Sequence, residues 1–472
     1  MYELPENCGS NTFLIDANGN EISYSTFLKS QSEFQRNIDS RIVVLVLTEA
    51  SVGSVMGLIS FLINGQVPLL IEPNTDLELI EDLIELYKIE YIFVGDDKRS
   101  KFPDFHEVKK FHSFVLLKTG FNNAEILNED LALLLNTSGS TGSQKLVRLS
   151  YSNVNANGHA IIEYLKINGD DRAITTLPLS YSFGFSILNS HILAGASIIL
   201  TEKSIIEREF WNLFDRFKPT SLSGVPFTFE TLHKMKFFSQ VPQTSLRVIT
   251  QAGGKMSDEM IAAVDKFSKA NNVYFYVMYG QTEATARISY VDPSFTTKKM
   301  GSIGKAIPGG QLKIIPIAEG PKLGLERFGE LVYTGPNVMM GYADNRLDLS
   351  KTDELNGVLK TGDLAVIDDD GFHYIVGRAK RFLKIHGKRV NLDEVETIIN
   401  RDFSPVVCLG VDDKLNIFTC NEGESLNLKQ FAVSKFNINA LAIRVNLVET
   451  IPRLGNGKIN YKLLEDQINA KL

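Results

Sequence analysis

The stretch LLLNTSGSTGSQK, from Leu133 to Lys145, decides how the chain is read. An apolar run with the pattern of a buried strand ends in a loop. Gly, Ser and Thr fill every position from Thr137 to Ser143, and Gln144 and Lys145 close it. Small hydroxyl side chains, accessible backbone N–H groups and a terminal lysine suit a polyphosphate. Glycine lets the backbone approach closely, and a concave row of N–H groups holds an anion. A P-loop would require G-x-x-x-x-G-K-[ST]. Here Gly139 and Gly142 lie three apart and Lys145 follows the second glycine by three positions, so the Walker reading fails on spacing. By itself the loop is as consistent with a linker or a turn, and its companions must decide.

Upstream, from Arg41 to Gly95, the apolar runs IVVLVLT, VPLLI and YIFVG alternate with helix-like segments such as Leu77–Tyr87. That alternation predicts a doubly wound α/β unit with a parallel sheet. It resumes downstream with ITTLPLS, SIILTE, LRVITQAGG and VYFYVMYG, each a strand candidate followed by a Gly, Ser or Thr cluster. Ligands of such sheets bind beyond the carboxyl ends of the strands, where those clusters fall. From Gly301 to Ile375 the pattern changes to short strands with turn signals such as DDDG at Asp368, which predicts a small β-subdomain. An α+β tail follows Arg378. The expected fold class is therefore α/β, with a large N-terminal domain of doubly wound sheets carrying a small β-subdomain.

Composition narrows the function. The chain has 472 residues, 44% hydrophobic and 22% charged, too long for one core and ordinary for a globular protein. A net charge of −7 and a pI near 5.7 offer no global attraction for nucleic acid or an anionic membrane. Cys8, Cys408 and Cys420 are too scattered for a disulfide framework or a zinc site. Val52 to Ile71 is uncharged, long enough to suggest a membrane span. It contains Asn64, Gln66 and Pro68, and reads better as a buried helix turning into a buried strand. The start MYELPENCGS lacks the pattern of a signal peptide, so a cytoplasmic protein is expected. The final Ala470-Lys471-Leu472 resembles a relaxed peroxisomal address, which keeps that compartment as a minor alternative.

Further motifs stand in order behind the loop: YGQTEATA from Tyr279, GELVYTGPNVMMGY from Gly329, KTGD from Lys360, GRAKRFLKIHGKRVNLDEVE from Gly377 and PRLGNGKINYKLL from Pro452. Together they resemble the adenylate-forming superfamily of acyl-CoA synthetases, aryl-CoA ligases, carrier-protein amino-acid ligases and luciferases. The resemblance runs from about Leu131 to Leu464. It implies an N-terminal AMP-binding domain over residues 1–378 and a small, mobile α+β lid domain over 379–472, with the hinge at Lys380. It also implies ATP, Mg²⁺, a small carboxylic acid, and a thiol acceptor that is CoA or a separate phosphopantetheine carrier protein.

The implied roles suit the chemistry. A carboxylate and a triphosphate repel one another, so cations and N–H donors are needed at the reacting atoms. In the family pattern Thr137, Ser138, Gly139, Ser140, Thr141, Gly142 and Lys145 wrap the β- and γ-phosphates. Gln144 and Leu146 replace the usual Pro and Gly around that lysine. Thr282 would meet the α-phosphate and Glu283 the metal, since Mg²⁺ favours one or two carboxylates plus phosphate oxygens. Gln251, Ala252, Gly253 and Gly254 would lie along adenine, with Tyr279 on the ring's other face, and Gly280 and Gln281 would also bind the nucleotide. Asp363 would hold the ribose hydroxyls, and Arg378 the ribose or a phosphate. Lys458 would bridge the incoming carboxylate and the α-phosphate. Tyr461 stands where relatives often carry arginine, and Lys388 and Arg389 are candidates for meeting phosphates.

The acid is addressed by PLSYSFG, Pro178 to Gly184, which resembles the acyl-pocket lining through Tyr181, Ser182 and Phe183. Amino-acid-activating relatives place an Asp where this chain has Ser182. A buried ammonium without a carboxylate would be costly, which disfavours α-amino acids. The expected activity is AMP-forming ligation of a carboxylic acid to a thiol. The alternatives are an amino-acid ligase for a carrier protein, a degenerate nucleotide-binding relative and a luciferase-like oxygenase.

Overall fold

A computed structural model describes the chain except residues 6–7, 37, 39–40, 123–125, 137–144, 241–243, 318–327, 380, 386–387, 401, 437, 455–456 and 470–472. It divides into two compact units, Met1–Gln311 with Thr334–Leu359, and Leu312–Tyr333 with Lys360–Leu472.

The first unit contains two large sheets. One runs in the order Gly341–Ala343, Leu146–Ser150, Leu131–Asn136, Val67–Ile71, Val43–Leu47, Tyr91–Gly95, Phe114–Lys118, His106–Phe111. Its four central strands are parallel, and antiparallel strands close both edges. The other places Tyr274–Tyr279, Val248–Gln251, Ser221–Gly224, Arg172–Ile174, Ser197–Ile199 and Thr12–Ile15 side by side in parallel. Val44, Val46, Leu70 and Phe93 of the first sheet share one core with Phe13, Leu14, Ala173 and Ile198 of the second. Further cores on the outer faces are filled by the helix Leu77–Tyr87 on one side and by Arg208–Phe217 and Asp258–Ala270 on the other. The doubly wound α/β expectation is met.

The uncharged stretch resolves as the pattern suggested. Ser51 caps a helix over Val52–Ile63 by accepting from the Ser54 N–H, the chain turns at Gly65 (φ 83°), and Val67–Ile71 is a fully buried parallel strand. Among the described residues no helix is long and apolar enough to cross a membrane. One strand expectation needs correction, and one strand lies outside the expected set. Of ITTLPLS only Ile174 lies in a strand. The run SLSG, Ser221–Gly224, forms a buried central strand despite its polar composition.

The second unit holds a four-stranded sheet of Gln311–Pro316, Phe328–Thr334, Val358–Ile367 and His373–Arg378, as well as the hairpin Phe382–Ile385 with Lys388–Asn391. A three-stranded sheet, Val406–Val411, Lys414–Thr419 and Ile443–Leu447, follows with helices Leu392–Ile399 and Ser425–Phe436. The DDDG signal is a turn, with Gly371 at φ 80° and the Asp368 carboxylate accepting from the Asp370 and Phe372 N–H groups. The short strands expected after Gly301 are distributed. Lys305–Ala306 and Gly341–Ala343 join the two large sheets, and the others build the four-stranded one.

Candidate active site

In the first unit the strands Val248–Gln251 and Tyr274–Tyr279 run parallel with Gln251 abreast of Val277, so QAGG and YGQTE emerge side by side at their carboxyl ends. Gln251 is buried and its amide donates to the Gly254 carbonyl at 2.8 Å, which shapes the first turn. Gly253 has φ 84°, and a Cβ there would stand 2.7 Å from the Tyr181 hydroxyl. Only glycine allows this turn to press against Tyr181, in the expected acyl-pocket segment. Gly280 is equally constrained, since a Cβ would meet the Ala286 carbonyl oxygen at 1.7 Å.

The turn that follows carries Thr282 and Glu283, the expected contacts of the α-phosphate and the metal. The Thr282 hydroxyl lies 3.1 Å from that of Ser182, the buried first residue of the helix Ser182–Leu193. This tie joins the expected α-phosphate contact to the expected acyl pocket. The Glu283 carboxylate accepts from the Tyr342 hydroxyl at 2.7 Å, and its main-chain carbonyl from the Met339 N–H at 2.9 Å. Burial, and then Glu283, raise the Tyr342 phenol above its ordinary pKa, so it remains a donor. Tyr181 is pushed up to about 12 by burial, with Arg287 opposing. The Gln281 side-chain nitrogen is buried and meets no acceptor among the described residues, an open donor at the turn.

Thr285 completes the turn at φ 62°, a strained conformation for a β-branched residue. The strain is held by Asn337. Its carbonyl accepts from the Thr285 hydroxyl at 2.7 Å, and its amide donates to the carbonyls of Ala284 at 2.8 Å and Arg287 at 2.9 Å.

The phosphate-loop expectation for Thr137, Ser138, Gly139, Ser140, Thr141 and Gly142 falls outside the described residues, but the loop's two ends are seen. Leu131–Asn136 and Leu146–Ser150 pair antiparallel with Asn136 opposite Leu146. Gly341–Ala343 pairs with the second of these, Ala343 opposite Leu146, and Lys145 forms an ion pair with Asp344 at 3.0 Å. One short strand thus links the loop lysine to Glu283, because Tyr342 lies on it. Arg148 secures that strand from beneath. Fully buried, it donates to the carbonyls of Tyr342 and Lys351 and pairs with Glu354.

In the second unit Asp363 and Arg378 are directly opposite on paired strands, and the Arg378 Nε lies 3.3 Å from the Asp363 carboxylate. Asp363 is buried and Arg378 exposed. Lys458 is half-buried in a turn closed by its carbonyl accepting from the Leu454 N–H at 2.8 Å, with Gly457 at φ 79°. Lys380 and Ala470-Lys471-Leu472 lie outside the described residues. Directly after the expected hinge position, Arg381 is fastened to Asp393, Glu396 and the Tyr461 hydroxyl. The departure at Tyr461 therefore serves as an anchor for the chain beside Lys380.

Asn337, Tyr342 and Asp344 were not legible as site residues, although the first two lie inside the GELVYTGPNVMMGY run. Its order in the chain marked it as a motif, but nothing in its spacing pointed to Glu283.

The model of the AMP-binding enzyme family matches residues 36–343. The chain belongs to that family. A long-chain-fatty-acid–CoA ligase of Escherichia coli O157:H7 is 30% identical over 365 residues, 74% of this chain and 64% of that protein. A luciferin 4-monooxygenase of Luciola mingrelica is 27% identical over 353 residues, 72% of this chain and 64% of its own length. The matched stretch thus spans less than two thirds of these relatives. Among solved structures, O-succinylbenzoate coenzyme A synthetase from Bacillus subtilis in complex with ATP and magnesium superposes with a TM-score of 0.76 at 20% identity, covering 97% of each chain. That likeness is one of fold.

Proposed function

We propose that this AMP-binding family member activates a small carboxylic acid with ATP and passes the acyl group to a thiol, that of CoA or of a phosphopantetheine carrier protein. A carboxylate oxygen attacks the α-phosphorus, pyrophosphate leaves, and the thiol sulfur then displaces AMP from the acyl-adenylate and gives up its proton. The observation that carries this reading is the linkage of Lys145, Glu283 and Thr282 through the strand Gly341–Ala343 and the Ser182 contact. A cation, a carboxylate and a hydroxyl so linked suit a triphosphate at one end and an acid at the other.

In this reading the Thr282 hydroxyl and the open Gln281 donor orient the α-phosphate, and Gln251 to Gly254 with Tyr279 and Gly280 accept the adenine. Asp363 takes the ribose hydroxyls and Arg378 a neighbouring oxygen. Mg²⁺ would neutralise phosphate charge. Glu283 fits it as a single carboxylate of the kind that suits a phosphate-bound hard ion. Lys458, on the small domain that we place at 379–472, supplies the cation between two repelling anions. Ser182 offers no charge for an α-ammonium, which supports a non-amino acid. Three unpaired cysteines, two of them buried, suit a cytoplasmic setting.

The test is ATP–pyrophosphate exchange over a panel of fatty, aryl, hydroxy and amino acids, with Lys458→Ala beside the parent. One unit-charge contact near 4 Å is worth about 4 kcal/mol at an effective dielectric of 20, so exchange should drop several-hundredfold or more. The variant should still convert a supplied acyl-adenylate to thioester. Parental exchange in the variant would remove Lys458 from the mechanism, and no exchange with any acid would favour a nucleotide binder.

A further inference from the structure

Arg287 lies four residues past Glu283 and is 1% exposed. Its Nε donates to the Ser186 hydroxyl at 3.2 Å, and one terminal nitrogen donates to the Tyr164 hydroxyl at 3.0 Å and contacts the Met278 sulfur. The guanidinium carbon stands 4.5 Å from the centre of the Phe183 ring. All these partners are neutral. The other deeply buried arginines differ: Arg148 pairs with Glu354 and Arg346 with Glu90. Among the described residues Arg287 has no carboxylate, and its second terminal nitrogen has no acceptor. It borders a small, mainly apolar cavity whose lining includes Ile161, Ile187 and Val248 beside Ser190, His191 and Thr250. His191 is no counter-charge in either protonation state, since imidazole is neutral or cationic, and burial holds it neutral with a pKa near 4.

A guanidinium is charged at any working pH, and a buried charge without a partner costs several kcal/mol. The Phe183 face and the hydroxyl dipoles offset part of that cost. The location suggests what completes the balance. Ser182 touches Thr282 at the reacting end, whereas Ser186 lies one helical turn deeper, about 6 Å along the axis at 1.5 Å per residue. Arg287 meets Phe183 and Ser186, so it stands at the deep end of the segment that lines the acyl pocket.

We propose that Arg287 determines specificity by receiving a second, distal carboxylate of the substrate, so that the acid is a short dicarboxylic acid. This rests on the ligase reading above and narrows its substrate class. A monocarboxylic acid of equal length would leave the guanidinium without a counter-charge and place an apolar end against it.

The experiment compares succinate, glutarate and adipate with butyrate, pentanoate and hexanoate in ATP–pyrophosphate exchange, using the parent, Arg287→Met and Arg287→Lys. Sites built around a buried polar partner reject analogues lacking it by up to ~10⁴-fold. At least one diacid should therefore exceed its matched monoacid by about a hundredfold or more in kcat/KM. Arg287→Met should invert that preference, and Arg287→Lys should keep part of it. The parent's own ratio stands even if a variant fails to fold. Equal or better use of the monoacids by the parent overturns the proposal, as does an Arg287→Met enzyme that keeps the parent's melting temperature and loses both series alike. Activity confined to other acids of the broad panel also overturns it and leaves the ligase reading intact. Silence across that whole panel defeats the ligase reading itself, and the proposal with it.

Discussion

Replacing Asn337 by alanine removes the clamp on the turn that carries Thr282 and Glu283. The side-chain amide donates to two buried carbonyls, those of Ala284 at 2.8 Å and Arg287 at 2.9 Å. Each such bond contributes about 1 kcal/mol net. The Arg287 carbonyl keeps a weaker donor, Asn157 at 3.3 Å, so the loss is at most about 2 kcal/mol in binding the turn. Thr285, at φ 62°, stores strain of order 1–2 kcal/mol that the clamp now offsets. At 1.4 kcal/mol per factor of ten, adenylation should fall by up to about thirtyfold. The fold should survive, with a melting temperature only a few degrees lower, since a change of ~1 kcal/mol moves it by roughly 2–4 °C in a large domain. Initial rates of ATP–pyrophosphate exchange, measured beside a thermal melt, read both quantities. Parental exchange with a lowered melting temperature would show that Asn337 serves stability alone and would refute the argument. Asn337→Asp, which turns a shared donor into an acceptor facing two carbonyls, should be worse than alanine.

Asp344→Asn should release Lys145 for phosphate, and because the pair is half-exposed and worth ~0–1 kcal/mol, the KM for ATP should fall by up to about fivefold at low salt. An unchanged KM at every ionic strength would mean that the pair does not compete with nucleotide. His191 is held neutral by burial, its ring bonded to the Ile187 carbonyl and the Ser221 hydroxyl, with a pKa lowered from 6.5 to about 4. The unfolded chain therefore binds the proton first. Stability is fully present above pH 6.5 and is lost as pH falls toward 4, by roughly 3 kcal/mol at 1.36 kcal/mol per unit. Urea titrations at pH 7 and pH 5 should show that slope in the parent and lose it in His191→Gln. Lys380→Pro should leave adenylate formation near normal and severely reduce thioester formation, because proline fixes φ at a position whose dihedrals must change in a hinge. Full retention of both half-reactions would place the pivot elsewhere.

The sequence alone carried whatever depends on neighbours along the chain. The strand-to-loop change at Leu133–Lys145, the helix and strand in Val52–Ile71 and the turns at QAGG, YGQTE and DDDG are local patterns of apolar spacing and Gly, Ser or Asp placement. Five motifs in order extended that reading to a family. It failed where composition and burial part company. Ser221–Gly224 is not among the apolar runs read as strands yet is a central strand, because its two parallel neighbours supply the hydrogen bonds and cover that its side chains do not announce. Only the tertiary structure brought Tyr342 to Glu283, 59 residues away, Asn337 to Ala284, 53 away, and Asp344 to Lys145, 199 away. Parallel sheets join strands through long crossovers, so residues that meet at their carboxyl ends have no fixed separation in the chain. For the same reason the unpaired charge of Arg287 could not be seen in advance. Whether a buried arginine has a carboxylate depends on which distant strand or helix folds over it.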